Sequence, residues 1–157
     1  MGHWIQYIAE RPTVANNYGY QLRGDGLGDS IRFAVARSEE EAVRICEKRG
    51  VRYIFATESF YPMMDLGKVV GVDYRAEFGG PEMAHPGQGP AITLPKESFY
   101  SLFYQRMYYF DGTMNPDNAA LTRFRLVFES KNPNGFPHSA GDVRKVKIYE
   151  FVRGATI

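Results

Sequence analysis

Between Ser38 and Thr57 the chain spells out a helix with both ends marked and, with almost no spacer, a buried strand. The Ser38 hydroxyl can accept from the amide of Glu41 while the Glu41 side chain reaches back, a capping box. Ala42, Ile45 and Cys46 form an apolar stripe, Lys48 and Arg49 suit the C-terminal end of the dipole, and Gly50 can take the left-handed conformation that stops the helix. Val51 to Thr57 then reads as a strand. An amphipathic helix and a buried strand must each be covered by other elements, so the pair predicts helices layered on a sheet. Thr13-Val14-Ala15 reads as an earlier short strand, which makes an α/β unit with a right-handed crossover the expected local topology.

The remaining pattern fills out a mixed α+β fold, helix-rich, with a small mixed sheet and a C-terminal β-hairpin. Trp4, Ile5 and Ile8 recur at helical spacing until Arg11-Pro12, where the residue before proline leaves the helical region. Asn16 to Ser30 is polar and glycine-rich, and Asp29 or Ser30 can cap a helix through Arg37. Glu58-Ser59 can cap a helix running to about Val72, with Pro62 in its first turn as a place to kink. Asp73 to Pro95 holds four prolines and four glycines in 23 residues and reads as a mobile loop. Lys96 to Phe110 reads as one aromatic helix with Phe99, Leu102, Phe103, Met107 and Phe110 on a single side. Arg123 to Ser130 and Val143 to Val152 alternate as strands around Asn132-Pro133-Asn134-Gly135, a long-looped hairpin.

Composition narrows the function. With 157 residues, 44% of them hydrophobic, residues 1–157 read as a single domain with a real core. Nineteen basic against eighteen acidic residues leave a net charge of +1, so no global field selects nucleic acid. The lone Cys46 excludes an internal disulfide and reads as helix packing. His3, His85 and His138 lack the paired spacing of a metal site, and no stretch approaches the roughly 18 apolar residues of a membrane-spanning helix. Gly24-Asp25-Gly26-Leu27-Gly28 lacks the strand and the Lys-Ser/Thr of a phosphate loop and reads as a turn leading into a helix. A small soluble enzyme is disfavoured by the lack of paired carboxylates, a His cluster or a nucleophile elbow. Asp65, Lys68 and Val72 would share one stripe of a helix, which from spacing alone describes an ordinary surface ion pair.

Gly2-His3-Trp4-Ile5-Gln6-Tyr7-Ile8-Ala9-Glu10-Arg11-Pro12-Thr13-Val14-Ala15-Asn16-Asn17 resembles the continuation of the Trp-Trp-Asp-Tyr-Gly signature of archaeal oligosaccharyltransferase catalytic subunits, with Gly2 at the final glycine. The likeness extends through the capped helix to Arg125–Ser130 and Val146–Phe151, and passes over Asp73 to Pro95. Asp65-Leu66-Gly67-Lys68-Val69-Val70-Gly71-Val72 resembles the family's second motif, Asp-x-x-Lys-x-x-x-Met/Ile, with Val72 departing from Met or Ile. Met1 then reads as an initiator set on an internal fragment of a longer, membrane-embedded chain.

The resemblance implies a parent that transfers a glycan from a dolichol-linked phosphate or diphosphate donor to Asn in Asn-x-Ser/Thr, at the extracytoplasmic face of the membrane. The reaction would need a divalent cation, Mn or Mg, held in the transmembrane half and not by this chain. Asp65, Lys68 and Val72 would form part of the pocket for the acceptor's Ser or Thr, and the partners would be the transmembrane domain of the same parent, the acceptor peptide and the lipid-linked donor. Alone, the chain is expected to be inactive. The alternative is a free-standing soluble α/β protein-interaction module.

Overall fold

The computed structural model describes residues 14, 25–57, 60–83, 92–110, 121–130 and 146–154. In chain order the elements are α1 (Gly26–Ala34), α2 (Glu39–Arg49), β1 (Tyr53–Ala56), α3 (Phe60–Leu66), a 3-10 turn (Gly67–Val70), α4 (Tyr74–Phe78), β2 (Gly79–Met83), β3 (Ile92–Pro95), α5 (Glu97–Tyr100), α6 (Phe103–Tyr109), β4 (Phe124–Glu129) and β5 (Lys147–Phe151). The class is mixed α+β. One sheet orders its strands β1-β5-β4 and a second pairs β2 with β3, and every described ladder is antiparallel. A parallel crossover unit is not seen among the described residues, because β1 is paired by the distant β5. Of the expected Thr13–Ala15 strand only Val14 is described, in a bend, and the predicted N-terminal helix lies outside the described residues.

α2 forms as its ends dictate. Ser38 accepts from the Glu41 amide at 3.3 Å, and Gly50 at φ 62° lets the amides of Gly50 and Val51 bond to the carbonyls of Glu47 and Cys46. Glu41 does not close the box on Ser38; its carboxylate accepts from the amide of Arg37 at 2.8 Å, one residue earlier. The spare acid at the first turn, Glu39, reaches across to accept from the amides of Thr122 and Arg123, at 3.0 and 2.7 Å, and so ties α2 to the start of β4.

Two apolar cores result. The first packs Phe33, Ala42, Cys46, Ala56, Phe103, Met107, Phe124, Tyr149 and Phe151 between α1, α2, α6 and the three-stranded sheet. Phe33 meets Phe103, Tyr104 and Phe124 edge to face at 6.1 to 6.3 Å, the geometry that aromatic quadrupoles favour. The Tyr104 hydroxyl accepts from the amide of Thr57 and donates to its carbonyl, and the Tyr149 hydroxyl donates to the Met107 carbonyl at 2.6 Å, so α6 is bonded to β5 and to the residue that follows β1. The second core gathers Ile31, Met63, Met64, Tyr74, Phe78, Phe99 and Leu102.

Three expectations change. The aromatic helix is two helices, because Leu102 adopts an extended conformation that lets the Phe103 amide bond to the Ala36 carbonyl; the re-aimed α6 leaves Phe110 43% exposed while Phe99, Leu102, Phe103 and Met107 are buried. Much of Asp73 to Pro95 is ordered as α4, β2 and β3, since Tyr74 and Phe78 bring enough apolar area to fix a segment whose glycines and prolines suggested a loop. The Asp29 helix starts earlier, at Gly26, which puts Asp29 inside α1 rather than at its cap.

That shift makes Asp29 a joint. Its side chain is 3% exposed and receives Arg32 at 2.8 Å from its own helix, and Lys48 at 2.7 Å and Arg49 at 2.6 Å from α2. Burial pushes the carboxyl up, but the hydrogen bonds from Lys48, Arg49 and Arg32 outweigh it and hold the group down at about 2, against an ordinary 3.8. A depressed carboxylate stabilises the fold fully above about pH 4, and that stabilisation is lost as pH falls toward 2. Asp29→Asn should lower the Tm at neutral pH by roughly 5 °C. The gap to wild type should narrow in thermal melts between about pH 4 and 2; a gap constant across that window would refute the role.

Gly67 supplies a second test, because a Cβ there would sit 2.8 Å from the Val72 carbonyl oxygen and 3.1 Å from the Tyr74 Cβ. Backbone cannot yield as a side-chain tip can. Gly67→Ala should therefore cost about 1–3 kcal/mol in denaturant unfolding, despite alanine's better helix propensity.

Candidate functional site

The acidic-basic motif lies where α3 gives way to the 3-10 turn. α3 begins at Phe60 with Pro62 in its first turn, where a missing N–H does no harm, and runs to Leu66. Gly67–Val70 then tightens to three residues per turn. The reason is the contact beneath it: Gly67 is buried under the Val72 carbonyl and the Tyr74 side chain, and the Val72 amide returns to the Gly67 carbonyl at 3.1 Å. Gly71, at φ 78°, stops the turn, and Asp73 caps α4 by accepting from the Ala76 amide at 3.1 Å.

The winding decides which side chains face out. Met63, Met64 and Gly67 are buried and Val70 and Val72 are partly buried against the second core, whereas Asp65, Leu66, Lys68 and Val69 are exposed. Asp65 and Lys68 therefore share a surface, as their spacing suggested. They form no ion pair with each other within 4.0 Å, and neither side chain has a hydrogen-bond partner among the described residues. Val72 leaves the stripe: beyond the left-handed Gly71 it turns inward to pack on the second core. In its place the turn presents Leu66, 38% exposed, and Val69, 59% exposed, on either side of Lys68. The sequence signal for these two was their spacing of three across a glycine, which a 3.6-residue period obscures.

Other sequence candidates resolve simply. Gly2, His3, His85 and His138 lie outside the described residues. Gly26 and Gly28 belong to the first turn of α1, and the Asp25 carboxylate beside them pairs with Arg32. Cys46 is 1% exposed, and burial, with Glu47 adding a smaller push, raises its thiol to about 12, which leaves it unreactive. An open cleft between the start of α2 and β4 is lined by Glu39, Glu40, Val43, Arg44, Thr122 and Arg123, and its Glu39 is already bonded to the facing amides. Among the described residues no three His, Cys, Asp or Glu side chains gather to hold a metal ion, and no helix is long and apolar enough to cross a membrane. The outer face of the main sheet carries an apolar row of paired residues, Phe55, Ile148 and Phe128, with Phe55 40% and Phe128 51% exposed.

Residues 1–60 match the AglB core-like family, described as the AglB core domain. Dolichyl-phosphooligosaccharide-protein glycotransferase 2 of Archaeoglobus fulgidus is 33% identical over 127 residues, which is 80% of this chain and 18% of that protein. Glycotransferase 1 of the same organism is 39% identical over 57 residues, 36% of this chain and 9% of the relative. The chain thus spans less than a fifth of the length of these relatives. A crystal structure of the C-terminal globular domain of an Archaeoglobus fulgidus oligosaccharyltransferase aligns with a TM-score of 0.55 at 27% identity, covering 96% of this chain and 75% of that one. With the family match, the curated relatives and the shared fold in agreement, this chain is a homologue of the C-terminal globular domain of archaeal oligosaccharyltransferases, with an AglB core-like domain at its N-terminal side.

Proposed function

We propose that the chain is the C-terminal part of a membrane oligosaccharyltransferase that moves a lipid-linked glycan onto Asn in Asn-x-Ser/Thr, and that its 3-10 turn helps read the Ser or Thr. The observation that carries this reading is Lys68: an exposed ammonium, without a partner among the described residues, on a turn anchored from below by Gly67 and Tyr74. A cation with no partner among the described residues is a donor in want of an acceptor, and a hydroxyl oxygen is one. Asp65, one turn earlier on the same surface, is close enough in sequence to orient the ammonium once a peptide is bound.

An amide nitrogen is a weak nucleophile, so binding energy from remote contacts must be used to hold it at the reacting centre. Gripping the residue two positions after the acceptor Asn does that. The chemistry itself we assign to the rest of the parent, including a divalent Mn or Mg ion that would stabilise the phosphate leaving group; the described residues offer no ligand cluster for such an ion. The apolar row Phe55, Ile148 and Phe128 supports docking of this domain on the parent's transmembrane part.

In the full parent chain, Lys68→Ala should raise the acceptor-peptide KM about tenfold with a smaller change in kcat, the size expected for losing one hydrogen bond from a charged donor. An unchanged KM would remove Lys68 from the pocket. The isolated chain, incubated with lipid-linked donor, sequon peptide and Mn, should yield no glycopeptide; turnover would mean that the catalytic groups lie within these 157 residues.

A further inference from the structure

An antiparallel sheet with one wet face sets apolar residues inward and polar residues outward along each strand. The three-stranded sheet departs from that rule on its outer face. β1, Tyr53-Ile54-Phe55-Ala56, offers apolar side chains to both faces. In β4, Leu126 opposes Tyr149 and Phe128 opposes Ile148, so Val127 is an extra residue, a β-bulge. Without the bulge Val127 would stand opposite Ile148, and Phe128 would fall opposite the buried Lys147 on the inner face. The bulge turns a phenyl ring outward.

The register then sets Phe55, Ile148 and Phe128 abreast on the outer face, about 10 Å across three strands. Val127, also exposed, adjoins them. Two residues along the strands, roughly 7 Å away, the next outer row is Tyr53, Glu150 and Arg125. Arg125 pairs with Glu150 there, and the Arg52 guanidinium lies 5.1 Å over the Tyr53 ring. The face thus has an apolar centre and, on one side, a polar rim whose charges are already met.

Size and chemistry select the occupant. The row exposes on the order of a few hundred Å², short of the roughly 800 Å² per partner that holds two free proteins together. That disfavours a second copy. A segment of the same chain needs less, because its link raises the effective concentration to about millimolar, and these residues span 18% of the length of glycotransferase 2. Phe55, Ile148 and Phe128 cannot hydrogen-bond to an incoming backbone, so the occupant must satisfy its own peptide groups, as a helix does. A helix about 10–12 Å across matches the row. The step from bare apolar side chains to a stacked tyrosine and paired arginine resembles the profile at the end of a membrane-spanning helix.

We propose that the outer face of this sheet seats one apolar helix of the parent's transmembrane part, packed over β5 between Phe55 and Phe128. The proposal rests on the reading of the parent as a membrane oligosaccharyltransferase and names the surface by which this domain is held to it.

The test uses the full parent chain in lipid nanodiscs, with a photoreactive benzophenone analogue of phenylalanine at position 128 and mass spectrometry of the cross-linked peptides. Cross-links should fall on one transmembrane helix of the same chain, and the same probe at the exposed position 75, beside the second core, should not reach it. Phe55→Asp should abolish the cross-link from position 128. The same change should shift the Tm of the isolated chain by less than about 3 °C, which separates lost docking from lost folding. Cross-links to lipid, to a second copy or to another extramembrane segment, or none at all, overturn the proposal. Glycopeptide formation in the same sample reads the enzymatic assignment separately. A parent that glycosylates but cross-links elsewhere loses the docking surface alone; one that cross-links as expected without glycosylating loses the enzymatic reading alone.

Discussion

The structure depends on one buried carboxylate. Asp29 joins α1 to α2 by accepting from cations on both helices, and the helix it fixes has two faces that feed different cores. Phe33 goes to the first and Ile31 and Ala34 to the second. α1 is also packed against the 3-10 turn, so the placement of Lys68 and Val69 traces back through α1 to that ion cluster. A buried charge is costly unless it is paired and hydrogen-bonded; here three donors meet the requirement, with their stems along the protein surface.

The turn itself is a compromise between helix and core. Were α3 to continue at 3.6 residues per turn, Asp65, Lys68 and Val72 would align along one face. The close approach of the Val72 carbonyl and Tyr74 to Gly67 overrides that winding, and Gly71 in the left-handed region ends it. One consequence is steric, since a Cβ at residue 67 would meet the Val72 carbonyl oxygen at 2.8 Å. The other is chemical, because the apolar neighbour of Lys68 on the surface becomes Val69 instead of Val72.

What was legible in the sequence was local. Ser38, Gly50 and the acids and bases between them specify α2 without outside help, because each cap is satisfied within one turn. The strands at Phe124–Glu129 and Lys147–Phe151 follow from alternation of side chains about a sheet. Two errors share a cause. The Asp73 to Pro95 stretch and the break at Leu102 were settled by partners distant in the chain: the Lys96 amide bonds to the Phe78 carbonyl, and the Phe103 amide bonds to the Ala36 carbonyl. Local propensity carries no record of such bonds. Glu41 shows the same effect at small scale, choosing the Arg37 amide over that of Ser38.

For this protein, the sequence by itself determined the mixed α+β class, the capped helix, the terminal hairpin strands and the presence of an Asp-x-x-Lys motif resembling that of oligosaccharyltransferases. Those are properties of neighbours within a few residues, where spacing and side-chain type suffice. Tertiary structure alone decided that β1 pairs with β5 in an antiparallel sheet, that Asp29 is a joint between helices, and that Val72 is packed inward while Val69 is exposed. The reason is that each depends on which distant surface an element is pressed against, and burial of Gly67 beneath Val72 and Tyr74 changes the winding of a turn whose residues, read in order, still look helical.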